Sequence, residues 1–566
     1  MTDDRLRATG GREVDTVRFP IGRPPREVDV LVVGAGPVGL SAAVELTGLG
    51  VDVAVVDAGT SASLARAGAI GHTPRVVELF RRWGLLQQIR DEWTFPPEWN
   101  RGTQFVTSLA GHTLVAPPRR GFAQASVTPF SLADTIRRPQ SVLQKVFLER
   151  LEAHSVSVTG GWRVEDVQDS GDGMVTTVVG NGERREVRSR YVIGADGGRS
   201  TVRRLAGIGR TGEYATEKHY RLVVRTQPRA VGPAPSGVNI VFNQHASGFL
   251  AAISSTDWRA YSEPYALDAE PTQHELLATA RAAFGIPDLD LELVSVTSFF
   301  RATRIADTFR LGRILLAGDA AHVRAPGGNL GEGFGDVVNL GWKLAAVLRG
   351  QGGDALLDSY DRERRPHNWR VAEHALARSQ AAAATLAEIR RLGVPDDADT
   401  TAEAVATRAL IGGLISAGYS PSPGVTFDER YDDSPVVAYE PGQAQDDHPW
   451  AAERYVLDPR PGHRAPDGYI DAFGDTLYDR IGQDLALLVL GGTGGSDVEA
   501  FEASAAERGI SLSVVHLDDE HVRDLYGADL VLVRPDHHVA WRGDHLPQGA
   551  AAVLDVVLGQ RALVHL

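Results

Sequence analysis

The chain contains no cysteine. That absence excludes disulfides, thiolate nucleophiles and cysteine–zinc sites together, and it fits a reducing cytoplasm. Long apolar runs are missing as well. No stretch approaches the roughly eighteen uninterrupted apolar residues that a membrane span needs. The first 26 residues are polar and lack the apolar centre of a secretory signal, so they read as a flexible tail. Positive charge is in deficit: the net charge of −15 argues against nucleic acid, whose recognition needs basic surfaces. Lysine occurs only at Lys145, Lys218 and Lys343, the other cations being almost all Arg, which reads as a compositional bias and not as a binding signal. What remains is ordinary. A hydrophobic share of 43% and a charged share of 23% belong to a soluble globular protein, and 566 residues suffice for about three domains.

The most informative stretch is 27–57. A Val- and Leu-rich run from Asp29 to Val33 predicts a buried parallel strand. It breaks at Gly34-Ala35-Gly36-Pro37-Val38-Gly39, after which Ala42, Ala43 and Leu46 follow helical spacing. A second strand, Val51 to Val56, ends at Asp57. The glycines allow a tight turn, close approach of backbone to a pyrophosphate and close helix–strand packing. The new helix turns its unpaired N–H groups and positive end toward that phosphate. Asp57, eighteen residues beyond Gly39, can accept hydrogen bonds from a ribose. Strand, turn, helix, strand and terminal acid together predict a dinucleotide site.

Arg66 and Arg75 flank the loop that follows; each could reach a diphosphate, and each could equally be a solvated surface residue. Apolar spacing over VVELFRRWGLLQQI predicts one helix. Residues 137–158 read as a helix followed by a strand, and 176–198 as a hairpin turned at Asn181-Gly182 that leads into another buried strand. Residues 211–300 alternate and carry His219, His245, Trp258, Tyr261 and Tyr265, as expected of an antiparallel sheet with one face toward a ligand or simply toward the core. A buried strand then ends at Gly318-Asp319 before a Gly-rich loop and long helices to about residue 393. Residues 418–450 are rich in Pro, Gly and Asp and read as a linker or wrapped extension.

Three separated segments resemble one family, the single-component flavoprotein aromatic hydroxylases of the p-hydroxybenzoate hydroxylase type, in the branch that tailors aromatic polyketides in antibiotic biosynthesis. They are GAGPVG with Asp57; Gly194-Ala195-Asp196-Gly197-Gly198-Arg199-Ser200-Thr201-Val202-Arg203, similar to the family's DGxxSxxR; and Gly318-Asp319-Ala320-Ala321-His322, similar to its GDAAH. The resemblance covers about the first 390 residues. It implies an α/β fold in which 27–98, 139–210 and 305–393 form a discontinuous Rossmann-like FAD-binding domain. A mainly antiparallel β substrate domain (99–138 with 211–304) is inserted into it, and a helical segment and linker (394–451) follow. Residues 452–566 resemble the thioredoxin-like α/β domain of that branch. Without cysteine this unit has no CxxC chemistry, leaving it a packing or homodimer surface.

The resemblance assigns Gly34, Gly36, Pro37, Gly39, Asp57, Arg66, Gln140, Asp196, Gly197, Gly318, Asp319, Pro326 and Gly331 to non-covalently bound FAD, Gln140 touching the ribityl chain. The Asp196 region would serve both FAD and NAD(P)H, the transient electron donor. The activity implied is NAD(P)H-consuming monooxygenation of a small-molecule polycyclic aromatic substrate by dioxygen, through a flavin hydroperoxide, with no metal. Such chemistry belongs to the cofactor, so no catalytic triad is expected and no catalytic residue is assigned. His219, His245 or Tyr261 could assist as a base or be structural, and His322 could act chemically or be a satisfied buried histidine. The loop before Asp336 is two residues shorter than the family's. Gly331 stands where relatives carry Asn, and Glu332 enters the first helical turn, where it would compete with an anionic reduced flavin if it faced inward. Baeyer–Villiger oxidation and a non-catalytic flavin- or ligand-binding protein are the alternatives.

Overall fold

The strands Glu27–Val33 and Val53–Asp57 lie parallel inside one of two eight-stranded sheets. The computed structural model describes every residue except 1–3, 8–12, 17, 62–69, 100–101, 117–130, 215–216, 228–230, 232–236, 325–328, 419–420, 440–447, 470–473, 492–494, 547–548 and 562–566. Across the sheet the order is Arg163–Asp169, Met174–Gly180, Glu183–Gly194, Glu27–Val33, Val53–Asp57 and Ser157–Gly160. Ile314–Leu316 runs parallel to the end of Glu183–Gly194. The hairpin turn at Asn181-Gly182 forms with both residues at positive φ (52° and 78°), the backbone a two-residue hairpin demands.

The helices of this domain are α1 (Pro37–Gly48), α2 (Pro74–Arg82), α3 (Leu86–Asp91), α4 (Gln140–Ala153), α5 (Thr201–Leu205), α6 (Gln273–Phe284, carried by the inserted sheet), α7 (Asn329–Leu348), α8 (Asp354–Leu392) and α9 (Ala402–Gly418). α1 starts with Pro37 at its first position, where a missing N–H costs nothing. Both α4 and α7 pack on α1, which is why even Ser41 and Glu45 are buried there. The single helix expected over 76–89 is instead α2 and α3. Gly84 (φ 66°) stops α2, with Gly84 N–H donating to Arg81 O and Leu85 N–H to Phe80 O, a Schellman stop that apolar spacing does not register.

The inserted sheet runs Tyr265–Ala266, Glu217–Arg225, Asp257–Tyr261, Ser247–Ala252, Val238–Phe242, Thr103–Val106 and Thr113–Val115, with Glu292–Phe300 also paired to Glu217–Arg225. One face carries Tyr220, Leu222, Val224, Leu250, Trp258 and Ala260 and packs on α6. The opposite face presents Val223, Ala251 and Ile253 to Ile70 of the first domain. The last unit is a four-stranded sheet, Leu512–His516, Leu485–Val489, Leu530–Val533 and Val539–Gly543, with only the first pair parallel. Helices Gly495–Glu507 and Ala550–Val557 cover one side of it, giving the thioredoxin-like layering.

Candidate active site

Gly34 is where the sequence segments first meet. A Cβ there would stand 2.4 Å from Ala195 O and 2.9 Å from Asp196 Cα, so only glycine lets the first loop touch the second. Gly39 is just as confined, its would-be Cβ falling 1.8 Å from Gly34 O. Val38 brings in the third segment, since a Cβ on Gly318 or on Gly333 would strike its side chain at 2.9 Å or 2.6 Å. Gly36 is different: nothing lies within 4 Å of a Cβ at that position. The loop is thus packed below and open above, as a backbone that must approach a ligand should be.

Asp57 closes its strand and holds this loop. Its Oδ2 accepts from Ala35 N–H and its Oδ1 from Gly59 N–H, both at 2.6 Å, leaving two of its four acceptor positions for a ligand. Ala35 O in turn accepts from Gln144 Nε2 at 3.1 Å, a support from α4 that no motif announces. Gln140 opens α4 half-buried, its side chain without a hydrogen-bond partner among the described residues. Asp196 Oδ2 caps α5 through Thr201 N–H (2.6 Å) and Val202 N–H (3.1 Å), whereas its buried Oδ1 has no partner. Gly197 follows at φ 80° with open space around it.

Asp319 follows the strand Ile314–Leu316 and is reached by solvent. The surrounding protein desolvates its carboxyl and pushes the pKa up, against the opposing pull of His322, Arg221 and Arg324. Between the strands that lead to Asp57 and to Asp319 lie Glu27–Val33 and Glu183–Gly194. Three strand intervals, about 14 Å, separate the two strands. Gly331 lies in the first turn of α7, 3.1 Å from Val76 Cγ2 if it bore a Cβ. Arg66 and Pro326 lie outside the described residues.

Three side chains that the sequence left open have partners within the protein. Glu332 accepts from His367 Nε2 (2.7 Å), Arg364 (3.2 Å) and Arg324 (3.4 Å). Burial opposes its charge, but these three hold its pKa well below the ordinary value, so its charge is spent within the protein. His322 is 1% exposed, its Nε2 2.6 Å from Asp336 Oδ2. Arg75 does not join a diphosphate site. It pairs with Glu78 (3.1 Å) and Glu429 (3.2 Å) at the junction with the last domain.

Arg221, which acts electrostatically on Asp319, belongs to the inserted sheet. His219, Arg221 and Val223 alternate onto the face that meets Ile70, beside Phe299, Tyr261, Arg259 and Phe249. Tyr261 lies 5.0 Å from the Phe299 ring and 5.2 Å from that of Phe249. Arg221 sits over Phe299 at 5.4 Å and Arg259 over Phe249 at 4.5 Å. Burial, aided by Arg221, brings Arg259 down to about 10. His219 is buried and stacked on Phe299 at 5.3 Å; burial and then Arg301 lower its pKa, favouring the neutral ring. His245 is exposed in the turn after Val238–Phe242 and stands apart from this wall. The two arginines were not legible as site residues, although alternation of Arg with aromatics along the strands Glu217–Arg225 and Asp257–Tyr261 was their signal.

A second cationic group adjoins the Asp196 loop. Arg203 donates to Ala320 O (2.9 Å), Arg210 to Gly198 O (2.9 Å) and Arg304 to Arg210 O (2.7 Å). No carboxylate hydrogen-bonds any of them among the described residues, and Arg304 Nε and Nη1 are buried without partners. Burial and then Arg210 bring Arg203 down to about 10.

Comparison with known proteins agrees with this layout. The family model described as FAD binding domain matches residues 27–375, and that of the aromatic-ring hydroxylase C-terminal domain matches 458–561. The 4-methyl-5-nitrocatechol 5-monooxygenase of a Burkholderia species is 32% identical, over 94% of this chain and 98% of that protein. Aklavinone 12-hydroxylase RdmE of Streptomyces purpurascens is 31% identical, over 94% and 98%. The solved structure of the rebeccamycin biosynthetic enzyme RebC with reduced flavin superposes with a TM-score of 0.82 at 28% identity, covering 95% of this chain and all of that one. The open space over Gly36, the spare Asp196 Oδ1 and the unpartnered Gln140 amide all fit a flavin nucleotide.

Proposed function

Since the chain belongs to the FAD-binding aromatic-ring hydroxylases, which are FAD-dependent monooxygenases, we propose that it hydroxylates a polycyclic phenol of the aromatic polyketide class at the expense of NAD(P)H. The observation that carries this reading is the convergence of Gly34, Asp196 and Gly318 through their close contacts beneath an open Gly36, opposite an aromatic wall crossed by Arg221 and Arg259.

In this reading Gly34, Gly36, Pro37 and Gly39 receive the pyrophosphate at the start of α1, where N–H groups and the helix dipole favour negative charge. Asp57 takes the ribose, and Gln140, Asp196, Gly197, Gly318 and Asp319 take the ribityl side. The three strand intervals, about 14 Å, between the strands that lead to Asp57 and to Asp319 suit the two ends of one extended dinucleotide. When bound, FAD supplies reducing equivalents to dioxygen and delivers one oxygen atom to the ring. The protein's share is different. The packed wall from Phe249 to Phe299 holds a flat substrate and keeps water from the reacting carbon. The guanidinium groups of Arg221 and Arg259 favour the phenolate, the form nucleophilic enough to be hydroxylated. A neutral His219 can take the phenolic proton or position the ring.

The donor's phosphates would meet Arg203, Arg210 and Arg304, cations to which no carboxylate is hydrogen-bonded among the described residues. The test is NADH or NADPH consumption by FAD-loaded protein with tetracyclic phenols and matching ketones, scored by the position of the added oxygen. Hydroxylated phenol supports the reading, and oxygen inserted beside a ketone would replace it with ring expansion. Peroxide as the only product with every compound would overturn it. Loss of donor affinity in Arg304→Ala, without loss of FAD, tests the arginine cluster.

A further inference from the structure

Where α2 meets the last domain there is a cavity of about 230 Å³, lined by Glu78, Arg81 and Arg82 from α2, Leu132 and Ala133, and Asp467, Tyr478, Asp479, Gly482 and His537. One water needs only about 10–15 Å³ of such space, so the cavity is sized for a small molecule. Most of the charge around it is already matched. Glu78 is held by Arg75 (3.1 Å) and Arg464 (2.9 Å), Arg82 by Glu45 (2.8 Å), and Arg81 by Asp479. Two groups are not matched. Among the described residues Asp467 accepts only backbone N–H groups, from Gly468 (3.0 Å) and Tyr478 (3.1 Å), both on Oδ1, and forms no ion pair, although Arg464 acts on it from farther off. His537 is 1% exposed, and neither ring nitrogen has a partner.

His537 is also held at φ 65°, uncommon for a residue with a side chain, and its ring stacks on Tyr478 at 3.8 Å. A buried imidazole with two unmet nitrogens, kept in a strained backbone, is a costly arrangement unless something else completes it. Burial, with Arg82 and Arg75 close by, keeps that ring neutral, and a neutral imidazole offers one acceptor nitrogen. The uncompensated charge is a carboxylate, the unmet acceptors are an imidazole nitrogen and Asp467 Oδ2, and the stacked pair of rings offers a π face. Each of these calls for the same ligand chemistry: a cation with N–H donors.

We propose that this cavity binds a small organic ammonium ion, with Asp467 as its counter-ion, His537 as hydrogen-bond acceptor, and Leu132 and Ala133 against its apolar part. The site is separate from the flavin site and lies on the opposite side of α2 from Val76, which Gly331 approaches.

The experiment titrates the FAD-loaded full chain with benzylamine and with benzyl alcohol, its uncharged counterpart, by calorimetry at pH 8. Benzylammonium is expected to saturate one site at least tenfold more tightly than the alcohol. Asp467→Asn is expected to lose that margin, and His537→Phe, which keeps the stacked ring, to weaken the amine several-fold. Flavin absorbance and melting temperature of both variants establish that they are folded, and a crystal of the amine complex of the unaltered chain gives a readout independent of them. Equal binding of amine and alcohol, an unchanged affinity in folded Asp467→Asn, or no saturable heat with the amine would overturn the proposal.

Discussion

His322 Nε2 and Asp336 Oδ2 are 2.6 Å apart with both side chains sealed from solvent, and the same oxygen accepts the N–H of Gly318 at 3.0 Å. Asp336 therefore ties α7 to the turn that carries Asp319. The tie extends outward. Asp336 Oδ1 accepts from Arg364 Nε at 2.9 Å, Arg364 also pairs with Glu429, and Glu429 with Arg75. Burial opposes ionisation of Asp336, but His322 and Arg364 outweigh it and keep its pKa below the ordinary value. A chain of buried ions thus runs from the proposed flavin site to the strap before the last domain. Removing one member leaves another charge buried and unpaired, which costs about 3–5 kcal/mol.

His322→Gln is expected to retain FAD and to leave the pH profile of turnover unchanged, because an amide N–H still reaches Asp336 while nothing titrates. Asp336→Ala is expected to lose FAD on gel filtration and to lower the urea midpoint. Flavin stoichiometry and denaturation curves check both. Loss of an inflection from the pH profile in His322→Gln would give that histidine a chemical role.

What the sequence made legible was local. Gly34 to Asp57 reads as a dinucleotide loop because its strands, turn and helix follow one another within thirty residues, and Asn181-Gly182 reads as a hairpin because two residues suffice to turn it. What it hid was long-range. Arg75 meets a carboxylate 354 positions away, and Glu332 is held by side chains from 324, 364 and 367, so neither partner set could be read from spacing. The break at Gly84 was hidden for another reason: the apolar period resumes in α3 as though the turn were absent. The aromatic wall was foreseen as a sheet face, but which face met Asp319 depended on domain packing at Ile70.

Gly36→Ala and Gly39→Ala should separate binding from folding. A methyl at Gly36 meets no protein atom, so the apo chain should fold with an unchanged melting temperature. FAD affinity should nonetheless fall at least tenfold, because the methyl occupies the approach of the pyrophosphate. A methyl at Gly39 would overlap Gly34 O at 1.8 Å, and that variant should lose soluble protein altogether. Flavin fluorescence titration and thermal melts measure the contrast. Unaltered FAD binding in Gly36→Ala would exclude this loop from the cofactor site.

Glu332→Gln tests whether the acid in the shortened loop opposes the flavin or serves the protein. Its depressed pKa contributes stability that is present above the unfolded value, near 4.5, and is lost as the pH falls below it. At pH 7 the variant is expected to be about 3 kcal/mol less stable, since His367 and Arg324 lose their anion. That deficit should shrink toward pH 4. FAD content should stay the same, whereas tighter flavin binding in the variant would mean that the carboxylate faces the ring.

Asp467 should behave in the opposite way. Burial, and then Glu78, raise its pKa to about 7, so between the ordinary value of 3.8 and pH 7 the folded chain holds a proton that the unfolded chain has released. Stability from this group is accordingly greatest below pH 3.8, declines as the pH rises to 7, and stays lost above it. The full interval is worth at most about 4 kcal/mol. Asp467→Asn mimics the protonated carboxyl without its titration. It should therefore melt higher than the unaltered chain at pH 8, with the advantage narrowing at pH 5. Melting curves at the two pH values decide the matter. No advantage at pH 8 would mean that Asp467 already has a cation beside it, and the cavity at α2 would have no charge left to recruit a ligand.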